Sequence, residues 1–398
     1  MIHLLKIGAA FGLIVLLLRL RWNLGTVMLL AAAFLGVLYR IGPLSQARIA
    51  LAAASDMVTI NLVTGLVLIM ALENIIRKRG VLKRMMEAVV NVAQDRRIAM
   101  AVLPGVIGLL PSAGGAAFSA PMVQEAAADT TMTPEHKAYI NYWFRHIWEY
   151  CSPLYPGIVL AAVVTNLPLN SLLLSQLPLP VAVIVIGALL GFRGLAIAPV
   201  AGKRDLAEIT ALFLTLLPIT ASLVLVIGFK LPLAIAMAAI VIAMLLYYRY
   251  APAEIGTMFK ESISLNVILM VTGIMVFKGM LDASGAIEAL PLFFRESGLP
   301  PVAVLFALPF LVGLLTGLTV AFVGATFPII TAMMGGHPDP ATVTFAFASG
   351  FAGVMLSPTH LCLVLTVRYF KADLAGTYRL MYLPILLVFA IGLLRFWI

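Results

Sequence analysis

The sequence predicts an all-α polytopic membrane protein built from two inverted-topology repeats, each of five transmembrane helices plus one re-entrant hairpin. Three observations predict it. Of 398 residues, 63% are hydrophobic and 11% charged, too little polar surface for a water-soluble domain. Apolar stretches of about 17 to 25 residues recur, each long enough to cross the roughly 30 Å hydrocarbon layer as a helix, which excludes a barrel with its alternating strands. Finally, the chain repeats itself at a separation of 205 residues, the distance from Gly108 to Gly313. Leu103-Pro104 followed by Gly108-Leu109-Leu110 returns as Leu308-Pro309 followed by Gly313-Leu314-Leu315, and Ser152-Pro153 returns as Ser357-Pro358. Asn61, Met70 and Gly80 match Asn266, Met275 and Gly285 in the same register. Leucine coincidences are cheap in this composition, but proline, glycine and asparagine agreeing together indicate duplication, the usual architecture of a secondary transporter.

The first repeat is read as residues 1–199 and the second as 205–398. Apolar windows place spans 1 to 5 at 3–20, 24–41, 57–77, 139–165 and 178–195. Spans 6 to 10 fall at 208–228, 231–248, 264–281, 342–368 and 379–397. Span 1 lacks the basic leader and small-residue cleavage site of a signal peptide and is followed at once by another span, so it is read as retained. Segment 80–97 sets Val81, Leu82, Met85, Met86, Val89 and Val90 against basic residues at helical spacing, which predicts an arm lying along the interface. Two further apolar stretches, 100–125 and 303–333, are interrupted by Pro111-Ser112-Ala113-Gly114-Gly115 and by Thr316-Gly317-Leu318-Thr319. Each arm has roughly ten residues, about 15 Å of helix, and reaches only half way across the layer. The residues at the bends leave helical geometry easily and bring hydroxyls for exposed backbone, so both stretches are read as hairpins rather than as helices kinked at glycine.

Five spans and a hairpin make an odd number of crossings, so the second repeat enters from the opposite side. Arg77, Lys78, Arg79, Lys83, Arg84, Arg96 and Arg97 assign the loop after span 3 to the cytoplasm and both termini to the outside of a prokaryotic inner membrane. Arg19, Arg21, Arg193, Lys203, Arg204, Arg249, Lys260, Arg368, Lys371 and Arg379 then fall on the cytoplasmic side, with Arg40, Arg48, Lys230 and Arg295 as outer exceptions. The first hairpin opens from the cytoplasm and the second from outside. Topology and lipid headgroups account for the net charge of +9, so no nucleic-acid partner is inferred. Cys151 and Cys362 lie in apolar segments and read as small hydrophobes, with neither a disulfide framework nor a metal site indicated.

Spans 4 and 9 carry interruptions. Arg145, His146 and Glu149 precede Cys151-Ser152-Pro153-Leu154-Tyr155-Pro156-Gly157, and span 9 contains Ser357-Pro358-Thr359-His360. Proline has no N–H for the carbonyl four residues earlier, so Pro153, Pro156 and Pro358 free the carbonyls of Glu149, Ser152 and Val354. Glu149, Ser152, Pro153 and Val354 are therefore candidates for holding a coupling cation. A broken helix also presents a new N-terminus at mid-depth, which suits an anion. Each hairpin tip brought against the break gives a substrate site of Ser112, Gly114, Gly115, Arg145, His146 and Ser152, closed by Thr316, Thr319, Ser357, Thr359 and His360. Serine-proline kinks that only shape packing are the competing account. Arg145 and Glu149, four apart on one helix face, form either an internal salt bridge or a functional pair. In the second case Arg145 or His146 meets a substrate carboxylate while Glu149 or His146 carries a proton. Glu73 and Lys278 occupy the same position of the two repeats and snorkel to opposite interfaces.

The run Leu-Pro-Ser-Ala-Gly-Gly-Ala-Ala-Phe-Ser-Ala-Pro at 110–121, Arg-His-x-x-Glu-Tyr-x-Ser-Pro at 145–153 and Leu-Ser-Pro-Thr-His at 356–360 resemble a prokaryotic integral-membrane family known as a domain of unknown function. That family is similar to the ion transporter superfamily of citrate, gluconate, dicarboxylate and lactate carriers. The resemblance implies an elevator-type transporter, a homodimer whose hairpins and broken helices move against a scaffold, with Na+ or H+ held between hairpin tip and helix break. Sodium-coupled dicarboxylate carriers bear Ser-Asn-Thr at their hairpin tips. Here the bends read Pro-Ser-Ala-Gly-Gly and Thr-Gly-Leu-Thr, without asparagine, so that substrate and that stoichiometry do not carry over directly.

The expected function is secondary active symport of a small organic anion by alternating access, with membrane lipid as the other partner and Na+ as the one metal, if any, acting as coupling ion. A carrier or flippase for a lipid-linked substrate is the alternative. An intramembrane enzyme using His146, Glu149 and His360 is the third reading. The chain has no His-Glu-x-x-His, no paired aspartates in spans and no Gly-x-Ser-x-Gly, so no catalytic residue and no organic cofactor is expected.

Overall fold

The computed structural model describes residues 2–93, 95–111, 115–128, 130–195, 206–285, 291 and 300–397, which are all-helical without a β-strand. The first half runs α1 (Ile2–Arg19), α2 (Leu24–Leu38), α3 (Pro43–Ser55), α4 (Met57–Lys78), α5 (Val81–Val92), α6 (Arg96–Ile107), α7 (Ala116–Ala126) and α8 (Pro134–Arg145). A 3-10 turn (Ile147–Tyr150) leads to α9 (Pro156–Val164), α10 (Leu169–Gln176) and α11 (Pro178–Gly191). The second half runs α12 (Leu206–Leu223), a π-helical turn (Val224–Gly228), α13 (Leu233–Tyr247), α14 (Pro252–Ser262), α15 (Leu265–Ala283), α16 (Pro301–Thr316), α17 (Thr319–Met333), α18 (Pro340–Leu356), α19 (Leu361–Phe370) and α20 (Leu374–Trp397). Among the described residues seven helical segments are long and apolar enough to cross a bilayer, so the protein is a multi-pass membrane protein.

Local chemistry sets the helix starts. The side chains of Asn23, Asp56, Asp95, Thr133 and Asp339 accept from N–H groups of the first turns of α2, α4, α6, α8 and α18, and proline opens α8, α9 and α18. Arg97 also pairs with Asp95 at 2.7 Å, and that hydrogen bond holds the Asp95 carboxyl below its ordinary range. The two interrupted spans divide, the first into α8 and α9 across residues 146–155 and the second into α18 and α19 across residues 357–360. The two hairpin stretches divide as well: α6 lies against α7, and α16 against α17. Gly317 makes the second bend with φ +64, a left-handed conformation that glycine adopts at low cost. Of the other expectations, Ser112, Ala113, Gly114, Lys203, Arg204 and Arg295 lie outside the described residues.

Two packing groups place the site. In one, α2 runs against α15 and α13 against α4. In the other, α16 lies along α18 and α6 along α8, with α9, α17, α7 and α19 filling between. Small residues allow these approaches, as membrane helices require when lipid offers no hydrophobic drive for association. A Cβ on Gly25 would stand 2.5 Å from the Leu269 backbone, and one on Gly313 would collide with the Gly350 carbonyl. The amphipathic α5 buries Val81, Met85, Ala88 and Val89, packing on α12 and α6. Ion pairs and hydrogen bonds tie helix ends together. Lys78 meets Glu261 at 2.5 Å, Arg79 meets Glu254 at 3.3 Å, and Lys78 with Asn74 holds the Glu261 carboxyl below its usual range. At the other end of α15, Lys278 donates to Asn166 at 3.1 Å.

Gly313→Ala therefore forces backbone apart between α16 and α18 and is expected to cost about 1–3 kcal/mol. Gly256, with open space around its Cβ position on exposed α14, is the control. Gly256→Ala should gain up to about 1 kcal/mol from helix propensity. Thermal unfolding of both variants in detergent checks the opposite signs.

Candidate binding site at the helix breaks

The chain leaves α8 at Arg145, turns through the 3-10 segment and cannot resume a helix until Pro156 takes the first position of α9. Leu356 ends α18 in the same way, and Ser357-Pro358-Thr359-His360 separates it from α19. These two interruptions meet in the buried interior. Arg145 is 2% exposed, His146 1%, Glu149 8% and His360 8%.

A cation buried this deeply needs partners that remain with it. The Arg145 guanidinium donates to the Tyr155 hydroxyl at 2.9 Å and to the Leu110 carbonyl at 3.4 Å, while Tyr155 donates onward to the Gly108 carbonyl at 2.5 Å. Arg145 thus grips the end of the first hairpin arm. Glu149 faces the second hairpin, accepting from the Thr319 hydroxyl at 2.8 Å. α8 ends at Arg145, and the 3-10 turn that follows brings Glu149 to Thr319 and, at 3.8 Å, to His146 Nε2.

The two histidines touch. Their Nε2 atoms stand 3.1 Å apart, and the Nδ1 atoms lie 2.6 Å from the Tyr142 carbonyl and 2.7 Å from the Gly317 carbonyl. Tyr142 presents its ring edge-on to both imidazoles, at centroid distances of 4.6 and 5.5 Å. Cys362 is the second residue of α19, and one donor atom from each of His146, His360 and Cys362 lies within 4.8 Å of the others.

The remaining candidates sort by location. Ser357 and Thr359 share a 2.9 Å hydroxyl contact, and Thr359 also donates to the Leu315 carbonyl at 3.4 Å beside the second hairpin tip. Thr316 turns its hydroxyl back onto Val312 at 2.7 Å within its own helix. Gly115 opens α7, and Ser152 accepts from the Leu154 N–H at 3.3 Å inside the break. The carbonyls expected to be freed by proline are partly retaken: Ser152 O accepts from Tyr155 N at 3.1 Å and Val354 O from Ser357 N at 3.1 Å. Tight turns replace the lost helical bonds there, leaving one lone pair on each oxygen. A cavity of ≈ 470 Å³ lies beside the first hairpin, with Glu73, Arg77, Leu110, Pro111, Pro156 and Glu261 on its wall.

Sequence reasoning passed over Tyr155, Tyr142 and Cys362 as functional residues, and the link from Glu149 to Thr319 spans 170 residues with no local signal. Tyr155 had one available signal, its place 205 residues before His360.

Removing the hydroxyl in Tyr155→Phe strips a partner from both Arg145 and the Gly108 carbonyl, for an expected loss of about 1–3 kcal/mol. Tyr139, whose buried hydroxyl has no hydrogen-bond partner among the described residues, gives the contrast, since Tyr139→Phe should be neutral or stabilising. Unfolding temperatures of the two purified variants decide it.

A family model described as "Protein of unknown function (DUF401)" matches residues 5–398, and the chain belongs to that family. No curated protein matches it.

Proposed function

We propose that this DUF401 protein is a secondary active transporter that symports a small organic anion with Na+ or H+ by alternating access across a prokaryotic inner membrane. One observation carries the reading: each helix break is closed by a hairpin arm from the other half of the chain. α17 packs on α9, and α7 packs on α19. Two elements that cross in this way form a site reached from either side, and it opens by moving one hairpin at a time.

An inverted duplication supports the same reading. Helix starts recur at the sequence separation, α6 at Arg96 with α16 at Pro301, α9 at Pro156 with α19 at Leu361, and α10 at Leu169 with α20 at Leu374. Packing is reciprocal, α2 with α15 and α13 with α4, as a two-fold axis in the membrane plane would generate. The end contacts agree with the charge-derived topology. Lys78 and Arg79 pair with α14 near the start of α15, and Lys278 with Asn166 toward its other end, ends that the charge rule assigns to the cytoplasm and the outside. On this topology the ≈ 470 Å³ cavity opens toward the cytoplasm beside the first hairpin, and its size suits a small organic anion.

In this account α2, α4, α13 and α15 form the scaffold of a homodimer, and the hairpins with the broken helices form the moving elevator. Arg145 supplies the positive charge for the anion. The α9 and α19 N-termini, Gly115, Ser152, Thr316, Ser357 and Thr359 supply N–H and hydroxyl donors, and Glu149 with Thr319 senses the coupling ion. The cluster serves binding and translocation rather than catalysis.

Counterflow in proteoliposomes across a panel of carboxylates and other anions tests the proposal, with uptake expected under a Na+ or a proton gradient. Arg145→Lys and Thr319→Val should each reduce that uptake at least tenfold. Absence of uptake under either gradient for every anion would overturn it. Topology is checked separately by labelling single cysteines placed at the exposed positions Arg84 and His337. They should react from the cytoplasm and from outside respectively, and reaction of both from one face defeats the inverted reading.

A further inference from the structure

We infer that His146, His360 and Cys362 form a binding site for a divalent transition-metal cation of the zinc class, with the Glu149 carboxylate beside it. The argument starts from tautomers. A carbonyl oxygen only accepts hydrogen bonds, so the Nδ1 atoms facing the Tyr142 and Gly317 carbonyls at 2.6 and 2.7 Å each carry their proton. Both neutral imidazoles then point the lone pair of Nε2 at the other across 3.1 Å. Switching either ring to the other tautomer moves the repulsion to its carbonyl. No arrangement of two neutral rings satisfies the three contacts, and a cation between the Nε2 atoms satisfies all of them.

Backbone carbonyls that fix Nδ1–H and aim Nε2 inward are the usual support behind metal-ligating histidines. A zinc ion bonds to nitrogen at about 2.0–2.1 Å and to thiolate sulfur at about 2.3 Å. Tetrahedral nitrogen ligands therefore stand about 3.3 Å apart, a few tenths beyond the observed separation. The donor atoms of all three residues lie within 4.8 Å of one another, and Glu149 Oε1 lies 3.8 Å from His146 Nε2. Two imidazoles and a thiolate favour zinc, cobalt or nickel over Na+, Mg2+ or Ca2+. The cysteines read one at a time signal nothing. The donor set exists only because the fold carries His146 to the head of α19.

The full-length protein, purified in detergent and stripped with chelator, is titrated with Co2+. A near-ultraviolet thiolate-to-cobalt charge-transfer band and visible bands of tetrahedral cobalt should appear and be displaced by Zn2+, and Zn2+ but not Mg2+ should raise the unfolding temperature. Cys362→Ser should abolish the charge-transfer band and weaken Zn2+ binding at least tenfold, and His360→Gln should do the same to affinity, while Cys151→Ser leaves both intact. If His360→Gln fails to fold, the conservative Cys362→Ser still decides. The proposal falls if wild-type protein gives no cobalt spectrum and no zinc-specific stabilisation, which leaves the imidazole pair sharing a proton, or if Cys362→Ser keeps the band. The readout is metal binding in detergent, so it stands or falls apart from the transport reading.

Discussion

A helix interrupted inside a bilayer exposes carbonyl and N–H groups that lipid cannot solvate, at several kcal/mol for each group left alone. Much of this structure follows from how that demand is met. The hairpins create the same problem at the ends of their first arms, and the chain sets the two deficits against each other. Tyr155, from the first break, donates to the Gly108 carbonyl at the end of α6, and His360, from the second, donates to the Gly317 carbonyl at the end of α16. Break and hairpin thus each supply a hydrogen-bond partner that lipid could not.

That exchange requires the hairpin arm to lie almost against the broken helix. Gly108 makes it possible on one side, where a Cβ would strike the Arg145 carbonyl, and Gly313 on the other, where it would strike the Gly350 carbonyl. These four positions keep the same register in the two halves. Close backbone packing therefore places Arg145 at the hairpin, and the hydrogen bond to Leu110 follows from the approach rather than causing it.

Composition, repeats and proline placement made the helical membrane class and the two interruptions legible in the sequence, because each depends on local chemistry, whereas the short helices α3, α10 and α14 between the apolar windows were not foreseen. Pro153 and Pro358 mark the two interruptions together with the serines before them, since proline alone does not end a helix here: Pro104, Pro121, Pro309 and Pro328 lie inside continuous ones. Gly317 permits its bend without reference to the rest of the chain. The partners were not legible. Helical periodicity places Arg145 and Glu149 on one face, but α8 ends at Arg145, so spacing alone could not show that Glu149 meets Thr319. The contacts of Thr319 with Glu149 and of His146 with His360 depend on how two distant segments cross, which no pattern of spacing encodes.

The two halves also differ where chemistry matters. The positions 205 residues beyond Arg145, His146 and Glu149 hold Gly350, Phe351 and Val354. At these matched positions one half carries charge and the other small or apolar residues. On the carrier reading this asymmetry has a mechanical consequence. The first hairpin ends on Arg145 through Leu110, and the second reaches Glu149 through Thr319. Both gates therefore terminate within five consecutive residues of one broken helix, and an ion or anion that alters the charge there changes the hold on both. A carrier needs that coupling, because opening both gates at once would leave a pore.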